Sequence, residues 1–424
     1  MELSVYRDLA GETVLVGTLT QVERQTTFRY DSSYLVSSEA APLSFSLPLR
    51  KSPFDEKELT PYFRGLLPEG TALENLCRSM GIAESDYFGM LAACGLDCLG
   101  DVVINPDAYA AQRGYQPLET EDVLAMAGSP GRIDRSLEVA RLSLAGTQNK
   151  CGLFHDPSAP METGWFQPVG GAPSNVIVKF ARADLPDLMQ VEHLCMASAA
   201  RCGLRVARTW LLNPSNPVLC VERFDRLSES GEVVDGVRAP IRRHQEDLTQ
   251  AFGLLPGAKY RELRPYSSQV VADFLRLRSA TPAKDLRSFV ELVVFNYLIG
   301  NCDNHLKNMA ILYAPDWRSF SLAPFYDLVS TTYFARFSRE MGMAIGTQRE
   351  IDWVTMADFG LLAKQVGVSP SLAKDIARKI LKDFPAALRE EADALGEQGF
   401  ALAPYIADDM LEDIAPRLRI LANL

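Results

Sequence analysis

The feature that most constrains this chain is an apolar segment, roughly 286–299, that stops at Gly300. It gives way to Asn301-Cys302-Asp303-Asn304-His305-Leu306-Lys307-Asn308 before apolar residues resume at Met309. The pattern reads as a helix ended by glycine, a polar loop, and a short strand. The loop carries Asp-x-x-x-x-Asn, from Asp303 to Asn308. Transfer of a phosphoryl group to a hydroxyl needs a carboxylate to orient that hydroxyl and accept its proton, with an amide oxygen nearby to hold Mg²⁺. The same residues also suit a plain helix-terminating loop, because Asp and Asn are turn formers.

Other segments bear on that choice. Ser319 to Leu328 follows the strand that begins at Met309, and within it Pro324-Phe325-Tyr326-Asp327 ends in a second acid. In protein kinases, whose catalytic loops share the Asp-x-x-x-x-Asn spacing, an acid after a β-hairpin binds the metal that bridges the nucleotide phosphates. Here Asp327-Leu328-Val329 stands where Asp-Phe-Gly is usual, and a strand-end cap is the competing reading. Upstream, Arg141 to Lys150 forms a small-residue turn with only Gly146. It is neither a Walker A loop nor Gly-x-Gly-x-x-Gly, so it reads either as a phosphate cradle or as a hairpin turn. Val176-Ile177-Val178-Lys179-Phe180 is an apolar strand interrupted by one lysine. The helix after it, starting near Asp184-Leu185-Pro186-Asp187 and stopping at Gly203, carries Glu192 at the border of its apolar face, and Lys179 is the natural partner for that acid. Leu219 to Arg226 reads as a hinge strand offering its backbone to adenine with Phe224 beside the ring, or as an edge strand closed by a salt-bridged Arg-Phe-Asp-Arg turn. These signals follow the chain order that a two-lobed kinase requires: phosphate loop, lysine, glutamate, hinge, Asp-x-x-x-x-Asn and late aspartate.

Composition narrows the classes. The chain has 424 residues, and 43 Lys and Arg against 54 Asp and Glu give a net charge of −11. That acidic balance argues against a surface built to neutralise nucleic-acid phosphates. At roughly 150 residues per domain, two or three domains are expected. No apolar stretch approaches the roughly 20 residues of a spanning helix, and Met1-Glu2-Leu3-Ser4 does not open a secretory leader. Of eight cysteines only Cys94 and Cys98 lie close together, with no further pair or histidine to complete a zinc set. Free thiols and a cytoplasmic location follow as expectations. Residues 1–104 read as a small sheet with short helices, its strands at Leu3–Arg7, Thr13–Thr20, Thr26–Tyr30 and Leu43–Leu47. Residues 105–235 read as a β-rich lobe with the phosphate loop and hinge. Residues 236–424 read as a helical lobe with the catalytic loop, including helices at Leu372–Phe384 and Pro385–Leu395. The expected class is α+β, a two-lobed protein-kinase-like fold with a β-rich N-terminal subdomain.

Several motifs together resemble one family. Ser143-Leu-Ala-Gly-Thr-Gln-Asn-Lys150, Val221-Glu-Arg-Phe-Asp-Arg226, His244-Gln-Glu-Asp-Leu248, Gly300 to Asn308 and Pro324-Phe-Tyr-Asp327 look like HipA-type serine/threonine kinases, the toxins of type II toxin–antitoxin modules. Phe63-Arg-Gly-Leu-Leu-Pro-Glu-Gly70 resembles that family's N-terminal subdomain, so the likeness covers most of the chain. It implies Asp303 as catalytic base and Asn308 and Asp327 as Mg²⁺ ligands. It implies ATP contacts from Ala145, Gly146, Thr147, Gln148, Asn149, Lys150, Lys179, Glu222, Arg223, Phe224, His305, Leu306, Lys307, Asn308, Tyr326 and Asp327, with Glu192 as a structural ion-pair partner. It implies self-inactivation by autophosphorylation of Ser143, where about two negative charges placed beside the ATP phosphates would expel the loop. It further implies a protein substrate such as an aminoacyl-tRNA synthetase, the glutamyl enzyme above all, whose modification stalls translation and produces dormancy. The implied partner is a HipB-like helix-turn-helix antitoxin that meets operator DNA on the chain's behalf. Two other readings stay open: a small-molecule phosphotransferase, and a catalytically silent co-repressor acting with its antitoxin.

Overall fold

The computed structural model describes residues 1–9, 12–105, 113–126, 150–228, 231–258 and 267–424. They form two compact units, and the chain passes between them repeatedly. The first contains 1–181, 218–256 and 312–318; the second contains 182–217, 257–311 and 319–424.

The first unit begins with an antiparallel sheet in the order β3-β2-β1-β4, made of β1 (Glu2–Leu9), β2 (Glu12–Val22), β3 (Gln25–Tyr30) and β4 (Val102–Asn105). Alternation along β3 buries Thr26, Phe28 and Tyr30 on one face. Phe28 there meets Phe54 and Phe63, and Phe63 lies on helix α1 (Glu56–Gly65). That helix starts where Asp55 and Glu58 cap each other reciprocally. Helices α2 (Gly70–Met80) and α3 (Tyr87–Cys94) follow. Leu43–Leu47, expected as a strand, is a tight turn with a single bridge from Ser44 to Leu47. The Tyr30 hydroxyl holds it by accepting from Leu43 N at 2.7 Å and donating to Leu47 O. Its alternating apolar residues therefore serve a long-range anchor, not a ladder.

A second antiparallel sheet in this unit runs β5-β7-β6-β8-β9. Its strands are β5 (Gly114–Leu118), β6 (Lys150–His155), β7 (Trp165–Val169), β8 (Val176–Phe180) and β9 (Val218–Glu222). Both β8 and β9 are almost wholly buried, which explains their continuous apolar text.

The second unit is mainly helical: α4 (Leu188–Arg201), α5 (Ser267–Arg278), α6 (Pro282–Ile299), α7 (Met356–Val366), α8 (Pro370–Glu397) and α9 (Ala403–Ala422). Helix α6 starts on a Pro at its first turn, where no N–H is missed, and packs against α5, α8 and α9. Helix α8 runs unbroken through Pro385, where two helices were expected; its buried face continues across the proline with Phe384, Ala387 and Leu388. Between α6 and α7 lie β10 (Ala310–Tyr313), β11 (Phe320–Leu322), β12 (Glu340–Ile345) and β13 (Gln348–Glu350). Among the described residues no helix is long and apolar enough to cross a membrane, and the eight cysteines are all free and buried. The mixture of sheets and helices is the α+β class expected from the sequence.

Candidate active site

Gly300 ends α6 in the left-handed conformation (φ +74°), and its N–H turns back to cap the last turn. A Cβ at this position would collide with Thr332 Oγ1, so glycine is required by space as well as by φ. The loop then makes a short 3₁₀ turn over Leu306–Asn308 and enters β10. The apolar helix, polar loop and strand read from the sequence are all present.

Inside the loop, side-chain amides do the positioning. Asn301 Oδ1 accepts from Asp303 N at 3.1 Å, while Asn301 Nδ2 donates to Asn296 Oδ1 at 3.0 Å and reaches Asp327 O at 3.5 Å. A single carboxamide thus links the backbones of the two candidate aspartates. Asn304 Oδ1 accepts from Met343 N on β12 at 3.0 Å. Gly342, the residue before it, donates from its N–H to Cys302 O at 2.8 Å; a Cβ there would stand 3.1 Å from His305 N, so β12 backs directly on the loop. Asn308 Nδ2 donates to Asp303 O at 2.8 Å, which leaves the Asn308 amide oxygen as the atom available to a cation.

The acids are placed differently. The Asp303 carboxylate is about half exposed and lies 3.6 Å from Nε2 of the buried His305. Asp327 follows Pro324-Phe325-Tyr326 with a left-handed φ of +53°. A non-glycine residue in that region stores backbone strain that surrounding structure must hold, and aspartate is among the few that tolerate it. Neighbouring contacts fix the approach: Phe325 N donates to Arg205 O at 2.8 Å, Ala207 N donates to Phe325 O at 2.9 Å, and the Tyr326 hydroxyl donates to Lys307 O at 2.9 Å. Asn301, Asn304, His305, Asn308, Tyr326 and Asp327 line one recess of the second unit, with Met309 and Leu328 among its apolar walls. Leu306 and Lys307, within the loop, are buried.

The remaining expected residues lie on other elements. Arg141 to Asn149, including Ser143 and the stretch from Ala145, lie outside the described residues; Lys150 opens β6. Lys150 and Lys179 are register partners on β6 and β8, so their side chains share a face of the sheet. Lys179 is buried on the first unit, and Glu192 is buried on α4 of the second. Glu222 and Phe224 are half-buried. Arg223 is wholly engaged within the first unit. Its N–H goes to Asn175 O at 2.9 Å and its guanidinium to Asp225, Ser174 and Cys98 O at 2.9–3.1 Å. Arg226 adds bonds to Asp225 and Asp97, and Arg242 bonds Asp97 at 2.8 Å and Asp8 at 3.2 Å. Burial alone would raise the Asp225 carboxyl, but Arg223 and Arg226 outweigh it and bring it down to about 2.

Sequence reasoning did not find Asn296, Asn301, Asn304 or Thr331. Asn301 and Asn304 sit within the motif that was singled out, and their spacing around Asp303 was the available signal. Thr331 reaches Gly300 O and Cys302 N only through the fold.

Comparison with known proteins bears on both units. The HipA-like C-terminal domain matches residues 142–388, and the HipA N-terminal domain matches residues 9–105. The protein Y4mE of Sinorhizobium fredii is 33% identical over 371 residues, covering 85% of each chain. The serine/threonine-protein kinase toxin HipA of Shewanella oneidensis is 27% identical over 363 residues, covering 82% of this chain and 80% of its own. Among solved structures, HipA of that organism, in a complex with HipB and operator DNA, superposes with a TM-score of 0.78 at 23% identity over 99% of this chain and 98% of the other, which establishes a shared fold. With both domains matched and a relative above 30% identity along most of its length, the chain belongs to the HipA family.

Proposed function

We propose that this chain is an ATP-dependent serine/threonine protein kinase of the HipA toxin type. The observation that carries the reading is the gathering of Asn308 and Asp327 around one recess, with Asp303 tied to both through Asn301 and Asn308. In this reading Asp303 accepts the proton of the attacking serine hydroxyl; its half-exposed carboxylate suits a group that must meet a protein substrate. Asn308 Oδ1 and the Asp327 carboxylate are hard oxygen donors of the kind Mg²⁺ takes. Among the described residues no group of three or more His, Cys, Asp or Glu is placed to hold a metal ion, so such an ion would complete its shell from phosphate oxygens and water. Mg·ATP supplies the phosphoryl group and the charge neutralisation of its transfer. Lys150 and Lys179 supply two cations on one face of the sheet for the phosphates, and residues 145–149, outside the described residues, are proposed as further phosphate contacts. The segment around Glu222 and Phe224 receives adenine, and His305, Leu306, Lys307 and Tyr326 shape the loop and its recess.

The finer proposals follow the family. Residues 1–104 act as the N-terminal subdomain, 105–235 as the nucleotide lobe and 236–424 as the catalytic lobe of a cytoplasmic enzyme. The substrate is a seryl side chain of an aminoacyl-tRNA synthetase, the glutamyl enzyme first, and the consequence is arrested translation and dormancy. Ser143 takes a phosphate in self-inactivation. A HipB-like antitoxin is the partner, and it supplies the positive charge for operator DNA that this chain, at −11, lacks.

Incubation with Mg·ATP followed by intact mass and peptide mapping tests the reading. One phosphate should appear on Ser143, and Asp303→Asn should slow its appearance by about 10³-fold, within the range expected for a lost general base. Asp303→Asn protein that incorporates phosphate at the unaltered rate removes Asp303 from the role. Unmodified protein that gains no phosphate, yet binds Mg·ATP, turns the search to a small-molecule acceptor.

A further inference from the structure

We infer that Arg417 and Asp413, on helix α9, are positioning residues for the catalytic loop and act on it through Thr332 and Thr331. The inference rests on the kinase reading above for its functional meaning, but its geometry stands alone. Helix α9 lies beyond residues 142–388, the span of the matched C-terminal domain.

Arg417 is 2% exposed. Taking a guanidinium out of water is costly, and an apolar side chain of similar volume would fill the same space at less cost. What the arginine adds is direction. Its Nε donates to Leu298 O at 3.0 Å, capping a carbonyl of the last turn of α6, where a cation also meets the negative end of the helix dipole. Its Nη2 donates to Thr332 Oγ1 at 3.2 Å and also bonds Asp413. Thr332 Oγ1 donates in turn to Asp413 Oδ2 at 2.6 Å, so arginine, aspartate and threonine close a ring. The other oxygen of Asp413 faces Arg339 at 3.8 Å.

That ring bears on the point where α6 becomes the loop. Thr332 N donates to Gly300 O at 3.1 Å. Thr331 Oγ1 donates to the same Gly300 O at 2.9 Å and accepts from Cys302 N at 2.8 Å. The residues on both sides of Asn301 are thereby pinned, and Asn301 in turn receives Asp303 N. A chain of directed bonds therefore runs from α9 to the backbone of the candidate base, with no member touching the reacting atoms. The fit at Gly300 is close: an added Cβ would also stand 2.8 Å from Arg417 Nη2.

The experiment uses the full chain with Thr332→Val, which keeps the branched shape, Arg417→Met, which keeps the length, and Arg417→Lys. Amide hydrogen exchange is read over 300–308. The rate of self-phosphorylation at saturating Mg·ATP and the Mg·ATP concentration giving half that rate are read beside it. Thr332→Val and Arg417→Met should speed exchange across 300–308 and lower the maximal rate by up to about 10²-fold, as misplacement of a reacting group does. Half-saturation should move less than twofold, Arg417→Lys should recover part of the loss, and the double variant should fall short of the product of the singles. Unchanged exchange over 300–308, or an unchanged maximal rate in a variant with faster loop exchange, overturns the inference. So does a loss that merely follows global melting temperature. If Arg417→Met does not fold, Thr332→Val carries the test. If the wild type transfers no phosphate while the exchange result holds, it is the kinase reading that falls and not the brace.

Discussion

The segment around Arg223 and the loop around Asp303 handle charge in opposite ways. In the first unit, Arg223, Arg226 and Arg242 meet Asp97, Asp225 and Asp8 in a buried cluster where charge is spent on charge. The groups that hydrogen-bond the loop around Asp303 directly are neutral: amides of Asn296, Asn301, Asn304 and Asn308, hydroxyls of Thr331 and Tyr326, and backbone carbonyls, with the charged Arg417 and Asp413 one step behind, at Leu298 and Thr332. Buried ion pairs hold geometry but neutralise the groups that form them. Amides and hydroxyls hold geometry and leave nearby carboxylates their charge. The contrast separates an acid that builds the fold from one free to do chemistry.

Three measurements sharpen the contrast, the largest effect first. Asp225→Ala leaves Arg223 and Arg226 short of a counter-charge in a buried site, so unfolding free energy in urea should fall by about 3–5 kcal/mol. A loss below 1 kcal/mol would show that the cluster does not act as a unit. The same carboxyl sets an acid limb. Its value of about 2 in the fold lies below the ordinary 3.8, so the unfolded chain binds the proton more tightly. Its contribution, about 2 kcal/mol, is present above pH 4 and is lost as pH falls from about 4 through 2. Urea titrations at stepped pH should show that loss in the wild type and a flatter limb in Asp225→Ala. Asn301→Ala should cost only about 1 kcal/mol of stability, because water entering the recess can replace its bonds. Phosphate transfer should nevertheless slow about tenfold, the equivalent of 1.4 kcal/mol at the barrier. Equal, large losses in stability and rate would place Asn301 with the structural cluster instead.

Much of this was legible in the chain. Periodic apolar text and capping residues located α4, and the apolar run before Gly300 located α6, although that helix begins a turn earlier, at Pro282. The strands holding Lys179 and Glu222 were marked by short apolar runs. What could not be read depends on distant partners. Leu43–Leu47 has the text of a strand but follows the Tyr30 hydroxyl, and Pro385 has the text of a helix stop but sits in a helix held by packing. Thr331, Thr332 and Arg417 are ordinary residues whose roles exist only once α9 and the loop meet. The salt-bridged Arg-Phe-Asp-Arg turn was foreseen as an alternative, but its partners Asp97 and Arg242 lie too far along the chain to be inferred from spacing.

Trp317 belongs to the first unit, where its indole N–H donates to Asp101 at 2.8 Å, its ring stacks on His244 at 3.8 Å, and the Arg7 guanidinium covers it at 3.8 Å. During synthesis residue 7 leaves the ribosome long before residue 317. At about 5–20 residues per second the interval is some 15–60 s. Through that time Arg7, Asp101 and His244 await the side chain they meet in the finished unit. The unit can complete itself only after the loop bearing Asp303 has also been translated. Assembly of the first unit is therefore timed by the chemistry-bearing segment, and a nascent copy holds neither finished part before that point.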